Sequence, residues 1–441
     1  MHFYLKGQKN KIMTNKFSQN KWYVLAILTI VYVFNFIDRQ IINIIAEDVK
    51  EDLGLSDTQL GMMTGLAFAI FYSVMAIPIS RFADKGVRKN VLAICLGIWS
   101  IMTAISGMVT NFTQMFLARM GVGLGEAGGV PTSYSLISDV FPANQRGKAM
   151  SIYMIGTSVG VFIAFVGGGY MLVNYGWRIS LYVVGLPGIL LAILVWLTIK
   201  EPEKGAKDNV KEADNTAPSM KEIFQIAIRK KTFVYITLAK TFLVGTSYSI
   251  NAFVAAFFIR LHNMPKGDLF FNLGVTVLIG GVIGGLLGGY FSDKLGKKDI
   301  RWYAWIGVVG NLLCIIPHYL YFTSQNVTIA IVMFGVMAVT TLLSGGPAVA
   351  VMQSVVNAKM RAGVAAIYLL ISNLIGLGLG PLSIGIISDW LEPTYGVASI
   401  RYALMFTFIP IALSTLFYYL AGKHYKKDVY VNFSDHLVYE K

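Results

Sequence analysis

Residues 80–89 read SRFADKGVRK, and residues 289–298 read GYFSDKLGKK. In each stretch an aspartate, Asp84 or Asp293, follows a small residue by four positions and precedes a basic residue by four. Each stretch also follows an apolar run of about twenty residues, long enough to cross the ~30 Å hydrocarbon core of a bilayer. A charged turn repeated after two such runs indicates that the chain is built from two related halves.

Two more features repeat at nearly the same offset along the chain. Arg146 with Tyr153 recurs as Arg361 with Tyr368, and Pro131 recurs as Pro347. Together with the charged turns, the offsets run from 209 to 216 residues, which is hard to attribute to chance. Internal duplication of this kind occurs in many secondary transporters.

The composition excludes a soluble protein. Hydrophobic residues make up 55% of the 441 and charged residues only 14%, whereas soluble domains carry about 25% charged residues. Apolar runs of membrane-spanning length recur, and they predict an all-α integral membrane protein of about twelve transmembrane helices in two six-helix halves. The runs lie near 22–45, 58–80, 90–109, 113–138, 147–173, 178–198, 232–259, 270–291, 301–322, 327–354, 361–388 and 399–422.

Polar stretches divide the predicted bundle into domains. The predicted divisions are an N-terminal segment 1–21, a six-helix bundle 22–198, a linker 199–231, a second six-helix bundle 232–422 and a tail 423–441. The linker is charged and poor in apolar residues, as expected for a solvated connection. Its last part, from Lys221, is amphipathic and is expected to lie on the membrane surface.

The basic residues set the orientation. Of the 37 Lys and Arg residues, 29 fall in the termini and the loops on one side, and five in the alternate loops. The remaining three, Arg39, Arg119 and Lys240, lie inside spans. The asymmetry predicts a multi-pass protein with both termini in the cytoplasm. The expected membrane is a bacterial plasma (inner) membrane. It also accounts for the net charge of +14 without a nucleic-acid partner.

Four ionisable residues lie within predicted spans of the first half. Asp38 and Arg39 are late in span one, and Arg119 and Glu126 are seven residues apart, on one face of span four. Charges that face lipid are costly, so we expect all four to face a polar cavity and to pair. They could form a purely structural ion-pair cluster.

The functional interpretation of these four residues is a protonation-coupled site. A buried carboxylate beside an arginine is ionised, and it takes up a proton when the arginine moves away. Glu126 is the first candidate for the proton carrier and Asp38 the second, with Arg119 releasing the proton of Glu126. Arg39 is expected to pair with either carboxylate or with an anionic substrate group.

The second half offers polar but uncharged candidates. Tyr248, Asn251 and Thr340 are predicted to bind substrate together with Arg39 and Arg119, although hydrogen bonding between helices would explain them as well. Lys240 is expected to extend to the interface without a specific role. His318 in span nine is titratable, and no proton role is assigned to it.

The repeated charged turns are candidate gate elements. Asp84 and Arg88 in the first half, and Asp293 and Lys297 in the second, are predicted to form a cytoplasmic gate that breaks when the halves move. The alternative is a solvated turn that anchors the helix ends. No nucleophile–base arrangement, metal-ligand spacing or cofactor motif is found, so an enzyme, a metal site and a cofactor are not predicted.

The turn 80–89 resembles the loop motif of the major facilitator superfamily, with Ser80 in place of the usual glycine. Residues 119–126, RMGVGLGE, resemble the arginine motif of its fourth helix. More narrowly, the chain resembles the spinster family. The segments that carry this resemblance are NFIDRQ (35–40), DLGLSDTQLG (52–61), GLGEAG (123–128) and YGWR (175–178). The resemblance covers nearly all of the first half, and the second half matches general superfamily features.

This resemblance implies a secondary transporter that works by alternating access around a central cavity. Spinster relatives are implicated in moving lysophospholipids, sphingolipids and related amphiphiles, and the acids and arginine at positions 38, 119 and 126 are functional in the family. We therefore expect a monomeric, proton-coupled transporter of an amphipathic organic molecule such as a lysophospholipid or a sphingoid-like lipid. Its expected partners are the substrate, protons and membrane lipids.

Two other interpretations stay open. The first is an uncoupled facilitator, or a transporter of organic anions such as carboxylates or sugar acids, with Arg39 and Arg119 as bidentate anion clamps. The second is a membrane sensor or scaffold that transports nothing. A sensor would be marked by an added soluble domain or a long tail, and the short linker and tail disfavour it.

Overall fold

The computed structural model describes residues 20–203 and 219–429, and neither range contains a β-strand. Within these ranges nine apolar helical segments are long enough to cross a membrane. Two of the nine, Asn144–Thr198 and Arg361–Asp428, each hold two crossings, and the interrupted fourth span is not among the nine. The prediction of an all-α protein with twelve spans in two halves is confirmed.

The first six spans are assembled from continuous and interrupted helices. Spans one to three are Lys21–Leu53, then Asp57–Gly61 with the π-helical turn Met62–Leu66 and Ala67–Lys85, then Arg88–Ser106. Span four consists of Phe112–Glu126 and Gly129–Val140. Span five consists of Ala143–Ile163, the π-helical turn Ala164–Gly168 and the first residues of Gly169–Thr198. The rest of Gly169–Thr198 is span six.

The second half follows a short helix, Met220–Arg229. Spans seven to nine are Lys231–His262, Lys266–Gly296 and Trp302–Thr323. Spans ten to twelve are Val327–Leu342 with Gly345–Ser354, then Arg361–Ile371 with the π-helical turn Ser372–Leu377 and Gly378–Tyr395, then Ser399–Met405 with Phe408–Asp428. Short 3-10 turns, Ala358–Met360 and Gly396–Ala398, precede spans eleven and twelve.

Spans four and ten are interrupted at equivalent places. Gly128 is the N-cap of the second helix of span four, and Ser344 has the same place in span ten. In both spans a proline, Pro131 or Pro347, follows as the third residue after the N-cap, within the first turn, where its missing N–H is tolerated. The interruption places Glu126 at the last position of the first helix of span four.

Local signals set several helix ends. The Asn20 side chain accepts a hydrogen bond from the Trp22 amide and so begins span one. Gly54 ends that span with φ of 62°, a left-handed conformation that favours glycine. Span one therefore ends eight residues beyond the predicted limit of residue 45. Gly176, with φ of 80°, turns the chain from span five into span six.

The chain forms two compact units. Unit 1 contains residues 20–203, 254–259 and 263–278, and unit 2 contains the other described residues. Within unit 1, Lys266 Nζ donates to Asp48 Oδ1 at 2.8 Å, which links the start of span eight to span one. These units divide the chain within spans seven and eight, so the predicted domain boundaries stay a prediction.

The short helix Met220–Arg229 has both an inner and an exposed apolar face. Ser219 and Glu222 form a capping box at its start. Ile223 is buried in the core of unit 2, in close contact with Gly363 of span eleven, and Ala227 is buried with it. Phe224 and two isoleucines stay exposed. The helix is amphipathic as predicted, and the structure adds that it is anchored on span eleven.

Candidate functional site

Asp38 is held inside the first half by a hydroxyl group and an arginine. It is 2% exposed, and Thr103 Oγ1 on span three donates to its carboxylate at 2.6 Å. Arg119 Nη1 lies 3.8 Å from Asp38 Oδ1, within ion-pair range but beyond hydrogen-bond length. Spans one, three and four therefore meet at one charged cluster, which is buried as predicted.

Glu126 is bound by the neighbouring residue on span one. Arg39 donates to Glu126 Oε2 from Nη2 at 2.6 Å and from Nε at 3.2 Å. The guanidinium also lies over the rings of Phe68 and Tyr72, 4.9 and 4.7 Å from their centroids. Cation–π contacts of this kind stabilise a guanidinium away from water. Arg39 is thus fixed by a carboxylate and by span two at the same time.

The predicted pairing of Arg119 with Glu126 is not what the structure shows. Two helical turns separate these residues, about 10 Å along the axis at 1.5 Å per residue. Arg39 reaches Glu126 from the facing helix, and Arg119 lies next to Asp38 instead. A shared helix face places residues on one side of a helix, but only the packing of span one against span four determines which acid meets which base.

The four charges balance, and yet some of their polar atoms have no hydrogen-bond partner among the described residues. These atoms are Arg119 Nε and Nη1. A buried polar group without a partner is costly, so such groups are uncommon in a purely structural cluster. The cluster retains unused capacity to hold a proton or a polar ligand.

Sequence reasoning missed Thr103, Phe68 and Tyr72. Thr103 sits in an apolar run, where a lone threonine gives no signal. Phe68 and Tyr72 are four residues apart, and their rings stack at 5.0 Å on span two. This spacing puts them on one helix face, but it does not reveal that an arginine lies over them.

The substrate candidates of the second half are polar residues that bond mainly to their own helices. Asn251 Nδ2 donates to the Ser247 carbonyl at 2.8 Å, and Thr340 Oγ1 donates to the Val336 and Met337 carbonyls, each at 3.1 Å. Tyr248 and Asn251 are half-buried on span seven. The structure does not test their predicted substrate role.

Arg88 lies in a cluster confined to the first half. Its guanidinium pairs with Asp139 at the end of span four and with Glu201, whose Oε1 accepts from Nε at 2.7 Å. Arg88 also donates to Ser135 Oγ at 2.9 Å and to the Pro202 carbonyl at 2.9 Å. This residue is 2% exposed, so the solvated-turn alternative does not describe it. The side chain of Asp84 lies outside the described residues.

The equivalent turn in the second half is different. Asp293 accepts a hydrogen bond from Tyr303 Oη at 2.9 Å, and Lys297 is exposed. Charge pairing occurs nearby, where Asp299 Oδ2 binds Arg301 Nη2 at 2.7 Å and Lys426 Nζ at 3.2 Å. Hydrogen bonds from Arg301 hold the pKa of Asp299 well below its usual range. The gate role of the four predicted residues stays a prediction.

The fold and the charged cluster can now be compared with known proteins. A family model for the Major Facilitator Superfamily matches residues 28–381. This chain belongs to the Major Facilitator Superfamily. It is similar to a solved bacterial homolog of the human lysosomal transporter spinster, with 29% identity and a TM-score of 0.87. That match covers 93% of this chain and 98% of the homolog.

Two curated relatives of this superfamily member extend the comparison. An MFS-type efflux pump of Mycolicibacterium smegmatis is 28% identical over 409 residues, covering 92% of this chain and 94% of the pump. A probable L-galactonate transporter of Escherichia coli is 27% identical over 273 residues, 60% of each protein. The chain is therefore a spinster-like transporter of the superfamily, a multi-pass membrane protein and not an enzyme. The predicted resemblance is confirmed.

Proposed function

We propose that this protein is a proton-coupled secondary transporter that works by alternating access, with Glu126 as the proton carrier. The observation that supports this role most directly is the Arg39–Glu126 ion pair, in which Glu126 is fully buried. A buried carboxylate that loses its cationic partner takes up a proton. Separation of Arg39 from Glu126 would therefore load the proton.

Asp38 is the second proton candidate, with Arg119 as its partner. Their atoms are 3.8 Å apart, so this ion pair is looser than that of Arg39 and Glu126. Thr103 supplies the hydrogen bonds that Arg119 does not. We assign Asp38 and Arg119 the task of keeping span four in register with span one while Glu126 changes its protonation.

The proposed cargo is an amphipathic organic molecule such as a lysophospholipid or a sphingoid-like lipid. The likeness to a homolog of a lysosomal spinster transporter supports this class. Arg39, Arg119, Tyr248, Asn251 and Thr340 are the residues we propose for substrate binding. The second candidate class is a sugar acid, which the likeness to a probable L-galactonate transporter favours.

The test is uptake into liposomes that contain the purified protein, with and without an imposed pH gradient. The substrates tested are a lysophospholipid, a sphingoid base and a sugar acid. The proteins compared are the native chain, Glu126→Gln and Glu392→Gln. Glu392 is an exposed acid near the end of span eleven and gives a matched control. We expect gradient-driven uptake in the native and control proteins and its loss in Glu126→Gln.

Uptake that proceeds equally with and without the gradient would reject proton coupling and leave a facilitator. Uptake of the sugar acid alone would reject the lipid class. If Asp38→Asn abolishes coupling and Glu126→Gln does not, then the proton site lies on span one rather than on span four.

A further inference from the structure

Lys240 lies well inside span seven. It follows Lys231, the first residue of that helix, by nine positions, about 13 Å along the axis at 1.5 Å per residue. The residues beside it face other helices. The Ala239 carbonyl accepts from Ser414 on span twelve at 2.8 Å, and Thr241 Oγ1 is 3.2 Å from Ser372 on span eleven. At the level of Lys240, span seven therefore packs against spans eleven and twelve.

This lysine has no counter-charge in the part of the chain that the structure describes. Across the residues that the structure describes, no carboxylate lies within 4.0 Å of its ammonium group, and no hydrogen bond reaches it. The other two basic residues inside spans, Arg39 and Arg119, have acids at 2.6 and 3.8 Å. An ionisable residue at membrane depth is costly and is rarely kept without a function.

The helix face that carries Lys240 is distinct from the face that meets the lipid. Lys240, Ser247 and Asn251 are spaced by seven and four residues, so they share one face, and all three are half-buried. The opposite face, with Phe242 and Ser249, lines an apolar groove of about 310 Å³. Span eleven and span twelve residues of that groove are exposed. Lys240 therefore points away from the groove.

We propose that Lys240 binds the anionic group of the transported substrate, a carboxylate or a phosphate, and this inference rests on the proposed transport function. An ammonium group offers three donors and a full positive charge. Arg39 and Arg119, inside spans of the first half, are each paired with an internal acid. An incoming anion would therefore have to compete with Asp38 or Glu126. At Lys240 no such competitor is present among the described residues.

The experiment compares binding and uptake of matched anionic and neutral probes. One pair is glucuronate and glucose, and the other is lysophosphatidate and monoacylglycerol, which separates a sugar acid from a lipid headgroup. Binding of radiolabelled probe is measured on purified protein in detergent, and uptake is measured in liposomes. The variants are Lys240→Met, Lys240→Arg and Lys231→Met, the last an exposed lysine on the same helix.

We expect Lys240→Met to weaken binding of at least one anionic probe tenfold or more. Lys240→Arg should restore most of the binding because the charge is kept, and Lys231→Met should match the native protein. Binding of the neutral partner should not change. The anionic probe that responds then identifies the source of the anion.

Unchanged anion binding in Lys240→Met would overturn the inference, and so would an equal loss of the anionic and neutral probes. Absence of anion binding in the native protein would also overturn it. Proton-driven uptake that persists in any of these cases leaves the proposed function intact. If uptake ignores the pH gradient while anion binding still depends on Lys240, then coupling fails and the inference stands. If Lys240→Met does not purify as a folded protein, the same measurements are made with Lys240→Gln.

Discussion

The two halves of this transporter treat buried charge differently. Deep inside spans one and four, the first half holds two acids and two arginines, arranged as the pairs Arg39–Glu126 and Asp38–Arg119. The second half has hydroxyls and amides at the corresponding depth, with Lys240 as its intramembrane cation. Because the two halves are repeats of one fold, the difference shows that the fold does not require the charges. We infer that the first half carries coupling and the second half carries substrate recognition.

A similar contrast separates the turns that follow spans two and eight. Arg88 is buried between Asp139 and Glu201. The charge cluster of the second half consists of the partly exposed Asp299 and Arg301 and the exposed Lys426. Sequence repetition at these turns therefore does not produce repeated structure. A buried pair and an exposed pair also differ in energetic weight, because water screens the exposed one.

The largest effect should come from breaking the Arg39–Glu126 pair. Arg39→Met or Glu126→Gln alone should lower the free energy of unfolding in detergent by about 3–5 kcal/mol, because each leaves an uncompensated buried charge. The double variant should lose less than the sum. Asn251→Ala in the second half should cost only about 1 kcal/mol. Strictly additive losses in the denaturation curves would contradict the pairing.

The second largest effect is expected at Arg88, and it tests whether the charge cluster of the first turn stabilises the protein more than that of the second. Arg88→Ala should destabilise the protein by about 3 kcal/mol, near the low end for a buried pair, because Glu201 is partly exposed. Arg301→Ala is the comparison, and it should shift the denaturant midpoint much less than Arg88→Ala does, because water screens a partly exposed ion pair. Equal shifts of the denaturant midpoint in both variants would show that the two clusters contribute equally to stability, against this prediction.

A smaller effect is expected at the hydroxyl that binds Asp38. Thr103→Val removes a hydrogen bond to a buried carboxylate and should cost about 1–3 kcal/mol. Thr340→Val should cost less than about 1 kcal/mol, because Thr340 donates to neutral carbonyls of its own helix. Chemical denaturation of both variants checks the order, and a larger loss for Thr340→Val would reverse our assignment of the polar sites.

The smallest expected effect is the pH dependence of the stability that Asp299 contributes. The pKa of Asp299 is lowered in the folded protein by hydrogen bonds from Arg301, so its contribution to stability is present above the unfolded pKa and is lost as pH falls toward the folded value. Asp299→Asn should therefore unfold slightly earlier than the native protein at pH 6. The difference should shrink as pH falls below about 4, near the unfolded pKa of an aspartate. A stability difference that grows as pH falls would contradict the predicted direction of the pH dependence.

Much of the fold was predictable because lipid makes the sequence signal strong. A helix that crosses a bilayer must be apolar over its whole length, so the runs predict all twelve spans. Helix ends were less accurate, and span one continues to Leu53 because Gly54 is the residue that can adopt the left-handed cap. The π-helical turns and the interruptions of spans four and ten carry no hydropathy signal.

The candidate site was predictable in its members but not in its contacts. Asp38, Arg39, Arg119 and Glu126 stand out because ionisable residues are rare in apolar runs. Their partners depend on which faces of spans one, three and four meet, and residues 87 positions apart, such as Arg39 and Glu126, carry no local sign of contact. Arg88 was predicted to join a gate, and its burial with Asp139 and Glu201 was not.

The sequence by itself determined that this protein spans a membrane twelve times, is built from two related halves and keeps four charges within the first half. These properties follow from the cost of exposing polar groups to lipid, which acts on every residue independently of its neighbours. Only the tertiary structure decided that Arg39 rather than Arg119 binds Glu126, and that Lys240 has no acid beside it among the described residues. Ion pairing depends on distances of a few ångströms between separate helices, and those distances are set when the helices pack.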